Sequence, residues 1–511
     1  MYMSCQKNKS VTWSSLPNKR QLAVLTLLKI SEGMSRRSYS AFLFHQLKWF
    51  DPSLPDSTIS SQAGIIQGSS TAIQIFSATL LGRLADTALI GRKNTLMIGL
   101  IGFAISSIGL AFSRNFITAA ISLAVGGAVN GNAGLIRTIL AETLTEKKYQ
   151  SRAFLLLPLS GTIGAMVGPV IGGGLADPVQ TYPSLFGPDS LLGGKDGVKW
   201  MIHWPYALPN LVSALVCLCA TAISILGLDE THEAARHRID WGRRAGKAIV
   251  RRLCARRSRY KYQPLSEHTS SIDPAEEGAA ADEARPANLE AASTSGKSLL
   301  QMPNVLLTLV SRFLFIFHIQ TNNAMLLIFY PTPRSPSSGH HAGQSGGGLG
   351  LPSAQVGVAM AIAGAVYLPL SFAIYPRVSS RMGTLQMYHA FLPLVIIMYG
   401  LTPLLVFIPD QPSLLWAGIT ALNVIEAIFN TFAFPSSVIL LNNTVSDPKQ
   451  LATVHGLGQS VNSAATAIGP LIGGWALGLA FKYNQVGCVW WGLIVVVVIQ
   501  WVVGLSLKPV D

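Results

Sequence analysis

Charged residues are scarce in this sequence of 511 residues. Asp, Glu, Lys and Arg together make up 12% of the chain, whereas 50% of the residues are hydrophobic. Charged residues make up about 25% of typical soluble domains. The low charge therefore excludes a soluble globular protein and predicts an integral membrane protein.

Cysteines and catalytic motifs are also few. No phosphate-binding loop and no nucleophile–base pair with supporting context is visible, so we expect neither an enzyme nor an ATP-driven pump, and no cofactor. The adjacent His340 and His341 lack a third ligand, which favours a solvated loop over a metal site. No disulfide framework is indicated by the five scattered cysteines, Cys5, Cys217, Cys219, Cys254 and Cys488.

Long apolar runs fill most of the chain. Each is close to the ~20 residues that a helix needs to cross a bilayer. They predict an all-α polytopic membrane protein with twelve transmembrane helices, at about 21–46, 59–82, 95–113, 115–141, 152–175, 204–228, 303–330, 353–376, 385–408, 413–441, 452–480 and 486–507.

Positive charge is distributed unequally over the two sides of these spans. Of the 38 Lys and Arg residues, 27 fall in the termini and in the loops between spans 2 and 3, 4 and 5, 6 and 7, 8 and 9, and 10 and 11. Six fall in the loops on the opposite side and 5 inside spans. By the positive-inside rule both termini are cytoplasmic, and the net charge of +14 reflects topology rather than nucleic-acid binding. We expect the first apolar run to remain as a signal-anchor.

A polar segment divides the spans into two groups of six. The predicted organisation is a cytoplasmic tail at 1–20, a six-helix half at 21–228, a cytoplasmic linker at 229–300, a second half at 301–507 and a tail at 508–511. The eleven bases within 236–261 predict an amphipathic helix on the anionic inner leaflet, with a calmodulin-type target as the alternative. Residues 266–297 have the composition of a disordered segment.

Lys, Arg, Asp and Glu residues well inside spans occur only in the first, fourth, seventh and tenth spans. Buried charge in a bilayer is costly and is kept where water, substrate or a partner compensates it. A cavity lined by every third helix explains this period, and buried ion pairs that only hold helices together are the alternative. The candidates for the cavity and for proton coupling are Lys29, Glu32, Arg36, Arg137, Arg312, His318 and Glu426, with Arg37 also inside the first span.

The two carboxylates in this set have different neighbours. Glu32 has Lys29 and Arg36 on its own helical face, which predicts a structural triad. Glu426 has no base within a helical turn, so it is the better candidate to carry a proton. Further hydrogen-bonding capacity comes from Asn322, Asn323, Asn423 and Asn430.

A Gly-Pro sequence occurs twice, six spans apart. Gly168-Pro169-x-x-Gly172-Gly173 in the fifth span is matched by Gly469-Pro470-x-x-Gly473-Gly474 in the eleventh. This spacing predicts two pseudo-repeats of six helices. Two unrelated glycine-rich packing helices are the alternative.

The loop GRLADTALIGRK between the second and third spans resembles a loop motif of major facilitator superfamily transporters. Its matching residues are Gly82, Leu84, Asp86, Gly91, Arg92 and Lys93, although Thr87 to Ile90 is two residues longer than the usual gap. The resemblance implies that Asp86 helps to lock the cytoplasmic side closed. The corresponding segment after the eighth span, YPRVSSRMGT, has no acid.

The fifth span resembles the glycine-proline motif of the antiporters of this superfamily, through Gly164, Gly168, Pro169, Gly172 and Gly173. The family's arginine in the fourth span is missing near Leu123, so its proton-transfer role is not assigned to Arg137. Stretches such as TVHGLGQSVNSAATAIGPLIGGW are similar to a fungal branch of drug:proton antiporters related to zinc-induced facilitators.

The resemblance implies the major facilitator fold and a secondary transporter. We expect export of a small organic molecule in exchange for protons, by a monomer in the plasma membrane rather than the vacuolar membrane. The excess of bases over acids on the cavity helices favours an anionic or weakly acidic substrate. A proton-coupled uptake symporter and a non-transporting membrane sensor are the alternatives.

Overall fold

The computed structural model describes residues 16–144, 146–190, 192–238, 240–257, 302–334, 347–408, 411–444 and 448–507. Within these residues the chain is helical, with two isolated β-bridges and no strand. Twelve helical rods, numbered here as spans 1 to 12, follow one another in the order that the sequence predicts. The linker helix, Trp241–Arg257, lies between spans 6 and 7.

The spans consist of the following helices. In the first half they are Lys19–Ser38, Tyr39–Ala41 and Leu43–Phe50 (span 1), Asp56–Ala85 (2), Gly91–Ala111 (3), Phe116–Ala128 and Asn132–Thr143 (4), Lys147–Leu175 (5) and Ala207–Gly227 (6). In the second half they are Pro303–Phe329 (7), Ser353–Pro369, Leu370–Ile374 and Tyr375–Ser379 (8), Thr384–Phe391, Pro393–Leu401 and Thr402–Phe407 (9), Pro412–Asn442 (10), Pro448–Lys482 (11) and Gly487–Leu505 (12). Short helices in the outer loop of the first half are Pro178–Thr181, Pro183–Phe186 and Lys199–His203.

Local sequence explains where several spans begin. Span 4 starts with a capping box in which Asn115 accepts a hydrogen bond from the Thr118 N–H at 2.8 Å. Spans 7 and 10 start with Pro303 and Pro412, and proline suits this position because the first helical N–H has no partner within the helix.

Ten of the twelve spans are long and apolar enough to cross a membrane by themselves, counted over the described residues. The exceptions are span 1, which contains four charged residues in its inner half, and span 2, which is rich in Ser, Thr and Gln. Both pack against other helices: span 1 against spans 5 and 6, and span 2 against spans 4 and 11. Their polar side chains are thereby shielded from lipid.

Several spans predicted as continuous helices are broken. Span 4 is interrupted at residues 129–131, where Asn130 and Asn132 are buried. Span 8 contains the π-helical segment Leu370–Ile374 directly after Pro369, which has no N–H for the helical ladder. The break in span 8 follows a proline, and the second helix of span 4 starts after Gly131 in a glycine-rich stretch.

The two Gly-Pro sequences pack in equivalent ways within their own halves. Gly168 lies against the backbone of Met34 in span 1, and Gly469 lies against the backbone of Thr321 in span 7. A Cβ atom at either glycine would press on that neighbouring backbone. Because spans 1 and 7 are six apart, the two halves share one packing scheme.

The last glycine of each sequence contacts the opposite half. Gly173 of span 5 lies against Ser353 of span 8, while Gly474 of span 11 lies against Gly64 of span 2. The proline of each sequence makes a matching contact. The Pro470 carbonyl oxygen lies against Gly64 of span 2, and the Pro169 carbonyl oxygen lies against Gly357 of span 8. The predicted pseudo-repeat is therefore visible in the contacts between the halves as well as within them.

These two seams lie at the end of the helix bundle opposite to residues 16 and 507, the end that we call outer on the expectation that both termini are cytoplasmic. Ser60 donates a hydrogen bond of 2.8 Å to the Gly474 carbonyl, and the His45 Nε2 lies 3.2 Å from the Leu351 carbonyl oxygen. Both bonds join the two halves near the outer ends of their spans. The outer ends of spans 1 and 2 are thus held against the second half.

The linker helix lies within the segment 236–261 in which a helix is predicted. Gly242 lies against Ile225 and Gly246 against Leu226, so the helix is docked on the inner end of span 6. Some of the predicted features lie outside the described residues. They are the segment 266–297, the pair His340 and His341, and residues 1–15 and 508–511 of the terminal tails.

We expect Gly64→Ala to open the seam between spans 2 and 11. The added Cβ would lie 2.6 Å from the Pro470 carbonyl oxygen and 2.9 Å from the Gly474 Cα, both rigid backbone atoms. Overpacking of this kind costs about 1–3 kcal/mol, which shifts the equilibrium toward the outward-open arrangement by roughly fivefold or more.

The measurement is the labelling rate of Asn423→Cys, a buried central position, by an impermeant maleimide added outside, with the native cysteines replaced. Gly492→Ala is the matched control, because no atom lies within 4 Å of its added Cβ. Equal labelling rates in the two variants would show that the seam does not restrain outward opening.

Candidate functional site

A central cavity of about 430 Å³ lies between the two halves near the middle of the spans. This volume falls in the range of sites for small organic molecules. Spans 1 and 5 of the first half and spans 7, 8 and 10 of the second half line it. The lining residues are Arg37, Thr162, Ala165, Met166, Asn323, Leu326, Leu327, Tyr330, Met360, Ala363, Gly364, Tyr367, Asn423, Glu426, Ala427, Asn430 and Phe434.

Two residues of opposite charge face this cavity from different halves. Arg37 lies at the end of the first helix of span 1, just before the 3₁₀ turn Tyr39–Ala41, and Glu426 lies at the middle of span 10. They are close enough for their charges to interact. In an environment with little water, such a pair provides a binding point for either charge on a ligand.

The other lining residues are mostly neutral. Amides come from Asn323, Asn423 and Asn430, and phenol groups come from Tyr330 and Tyr367. The remaining surface is aliphatic, thioether or aromatic. The site therefore combines one pair of charges with an apolar wall and a few hydrogen-bonding groups, as small-molecule sites commonly do.

The predicted triad on span 1 does not form. Lys29 and Glu32 form an ion pair of 2.8 Å, and the Glu32 side chain is buried within the first half. Arg36 instead donates a hydrogen bond of 3.2 Å to the Gln74 side chain of span 2, beside a smaller cavity of about 50 Å³. The helix directs Arg36 away from Glu32 because span 2 offers it an amide partner.

The remaining candidates of the second half are packed among its own helices. Arg312 is only 6% exposed and donates a hydrogen bond of 3.0 Å to the Ser437 hydroxyl of span 10. His318 is fully buried, with its Nδ1 2.9 Å from the Tyr399 hydroxyl of span 9. Neither residue lines the central cavity.

Arg137 is exposed near the inner end of span 4 and is likewise absent from the cavity lining. Of the seven predicted cavity residues, the structure places only Glu426 in the central cavity. Arg37, its charged partner, lies in span 1 but is not among the seven predicted cavity residues. The consecutive pair of arginines is the signal that could have found it, because neighbouring residues point to different sides of a helix.

The loop motif forms a cluster of charges at the inner ends of spans 2, 3, 4 and 6, which we call the inner cluster. Arg92 lies 3.5 Å from the Asp86 carboxylate and also pairs with Glu142 at the end of span 4. Glu230 accepts hydrogen bonds from the backbone N–H groups of Arg92 and Lys93, at 3.1 and 3.0 Å. A carboxylate at this position satisfies the free N–H groups at the start of span 3.

The extra length of the loop is accommodated by a turn that ends at Gly91. Its φ angle of 77° lies in the left-handed region that glycine adopts without strain. Lys93 is held in turn by Asp240 at 2.6 Å and by the Ile225 carbonyl at 3.0 Å. Glu142, Glu230 and Asp240 are members of the inner cluster that the motif alone did not predict, because they come from distant parts of the chain.

Comparison with known proteins gives consistent matches. The model of the Major Facilitator Superfamily matches residues 50–417. The multidrug transporter mfsB of Aspergillus fumigatus, which carries the superfamily in its name, is 30% identical over 507 residues, covering 94% of this chain and 81% of the relative. ZINC INDUCED FACILITATOR-LIKE 1 of Arabidopsis thaliana is 22% identical over 466 residues, covering 91% and 84% respectively.

A solved structure supports the fold. The crystal structure of a D-xylose-proton symporter superposes with a TM-score of 0.62 at 14% identity, covering 96% of this chain and 98% of that chain. The resemblance predicted from the loop and the Gly-Pro sequences is thereby confirmed. The family model, the relatives and the twelve-helix architecture show that this chain belongs to the Major Facilitator Superfamily and is a membrane transporter, not an enzyme.

Proposed function

We propose that this transporter exports a small organic anion or weak acid from the cytoplasm in exchange for protons. The observation that carries the proposal is the central cavity, in which Arg37 and Glu426 face each other from opposite halves. The relative of Aspergillus fumigatus that bears the name multidrug transporter agrees with a small organic substrate.

The charge in the cavity favours an anionic group on the substrate. Arg37 offers a planar set of donors that suits a carboxylate, a sulfonate or a phosphate. The apolar side chains of Met166, Leu326, Met360 and Phe434 would contact the body of the molecule. An amphiphilic organic anion satisfies both parts of the site, whereas a small inorganic ion would leave the apolar wall without a partner.

The pairing of charges also suggests how protons are coupled to transport. A substrate that binds between the two residues, with its anionic group at Arg37 and a hydrogen-bond donor at Glu426, favours the ionised form of Glu426 and so releases its proton. The site then holds either the substrate or the proton, not both. The two halves can therefore exchange substrate and proton alternately across the membrane.

The inner cluster would control access from the cytoplasm. With the outer seams closed, its Asp86 carboxylate is 68% exposed, so it is free to take a new partner when the inner ends approach each other. The Gly-Pro sequences would control access from the other side, because they hold the outer ends of the two halves together.

We expect Arg37→Gln to raise the KM for an organic anion by roughly tenfold to a hundredfold, since hydrogen bonds to charged groups contribute about 1.5–3 kcal/mol. Uptake of carboxyfluorescein into inside-out vesicles measures this effect. Arg36→Gln is the matched control, because Arg36 bonds to Gln74 outside the central cavity. Equal KM values in both variants, or greater loss for the cationic dye rhodamine 6G, would contradict an anion site at Arg37.

We expect Glu426→Gln to abolish the dependence of transport on a pH gradient while exchange of substrate across the membrane continues. Inside-out vesicles with an acidic lumen should accumulate carboxyfluorescein when they contain the wild type, because protons leaving the lumen drive export. Glu32→Gln should lower the amount of folded protein, since it leaves Lys29 without its buried partner, but the folded fraction should remain gradient-driven.

A Glu426→Gln variant that remains fully driven by the gradient would place the proton site elsewhere. Accumulation driven by an alkaline lumen in the wild type would indicate proton symport in the uptake direction and would reject export.

We expect Asp86→Asn to slow transport with little effect on folding. The Asp86 carboxylate is 68% exposed and lies 3.5 Å from Arg92, and contacts made by exposed charges contribute about 0–1 kcal/mol to stability. Asp196→Asn is the matched control, because Asp196 is equally exposed and pairs with Lys199 in the outer loop at 2.9 Å. Turnover and melting temperature of both variants provide the test, and unchanged turnover in Asp86→Asn would leave the loop motif without a gating role.

A further inference from the structure

A second cavity of about 480 Å³, the linker groove, lies at the cytoplasmic end of the first half. It is formed by the start of span 3, the end of span 6 and the segment that leads into the linker helix. Because Gly242 and Gly246 fix that helix against span 6, the groove is a built part of the fold. It is separate from the central cavity and independent of the proposed function.

The acids around the linker groove already have partners. Asp229 pairs with Arg243, Glu230 caps span 3, and Asp240 binds Lys93. Partial burial favours a raised pKa for Asp240, but the hydrogen bonds from Lys93 and from the Arg243 backbone N–H lower the pKa overall, so the pair with Lys93 persists at cytoplasmic pH. These carboxylates are therefore not available to neutralise other bases.

Several bases around the groove have no acidic partner among the described residues. Arg236, Arg238 and Arg244 are exposed; Arg238 binds the Leu89 carbonyl at 2.8 Å, and Arg244 lies over the Trp241 ring at 5.4 Å. Lys247 and Arg251 continue the positive surface along the linker helix, whereas the exposed acids nearby are Glu233 and Asp229, of which Asp229 is paired with Arg243. The groove thus presents a surplus of positive charge to a ligand.

The residues at the edge of the groove are of types that are common at the membrane interface. Trp241 is 72% exposed at its edge, and tryptophan is enriched where lipid headgroups meet water. The groove floor contains Met97 and Ile225, which continue into the exposed apolar surface of span 3 at Ile98 and Ile101. A path for an acyl chain therefore starts where the free arginines lie.

We infer that the linker groove binds one anionic phospholipid of the inner leaflet. Its phosphate-containing headgroup lies at Arg236 and Arg238, which line the groove, with Arg244 next to them over the Trp241 ring. Trp241 packs beside the glycerol region, and an acyl chain follows spans 3 and 6. A soluble acidic partner would match the arginines but would leave the apolar path unused. Because Asp240 ties the linker to Lys93, a bound lipid also holds the linker helix on the inner cluster.

The test uses the full-length protein in nanodiscs of phosphatidylcholine with or without phosphatidylserine. Native mass spectrometry counts retained lipids, and titration with a fluorescent phosphatidylserine gives the affinity. The double variant Arg236→Gln/Arg244→Gln should bind about thirtyfold more weakly than the wild type, since each base near an anionic lipid contributes about 1 kcal/mol, or about fivefold. Trp241→Ala should weaken binding without changing the charge.

The matched control is Arg377→Gln/Arg381→Gln, which removes two exposed bases from the cytoplasmic side of the other half. It should retain the wild-type affinity, and melting temperatures in pure phosphatidylcholine should be equal for all variants. An equal loss in the control would mean diffuse attraction to the surface and overturn the site. Equal affinity for water-soluble inositol hexakisphosphate, or binding of calmodulin in place of phosphatidylserine, would also overturn it.

Discussion

Close approach of helix backbones at glycine is the interaction on which this structure depends. Inside a bilayer the lipid tails are as apolar as leucine, so helices associate by packing and hydrogen bonds rather than by the hydrophobic effect. Gly64 and Gly474 let spans 2 and 11 meet backbone to backbone, and Ser60 adds a hydrogen bond at the same place. This seam, with its counterpart between spans 5 and 8, closes the outer ends and defines the space between the halves.

The central cavity follows from that arrangement. Once the outer ends are joined, the middle of span 1 and the middle of span 10 face each other, and their charged residues have only each other, a ligand or water as partners. Arg37 and Glu426 are placed there by helices of different halves. Any movement that separates the halves changes the environment of both charges at once, which is the physical link between binding and conformational change.

The inner side is organised by charges instead of glycine. Arg92 and Lys93, at the start of span 3, draw in carboxylates from span 4, from the end of span 6 and from the linker. Arg92 and Lys93 are largely buried, whereas the carboxylates of Asp86, Glu142 and Asp240 remain partly exposed, so the bases are fixed while the acids can still reach other partners. A tightly packed outer seam and an adaptable inner cluster are therefore a suitable combination for the export that we propose.

The sequence by itself determined the twelve spans, the linker helix and the pseudo-repeat, because hydropathy and glycine patterns follow from the bilayer and act locally along the chain. Only the tertiary structure decided which buried charges share a site. Arg36 and Arg37 are neighbours in sequence, yet one binds Gln74 of span 2 and the other lines the central cavity with Glu426. Neighbouring residues on a helix point in different directions, and their partners come from spans that are distant in the sequence, so no local pattern can distinguish them.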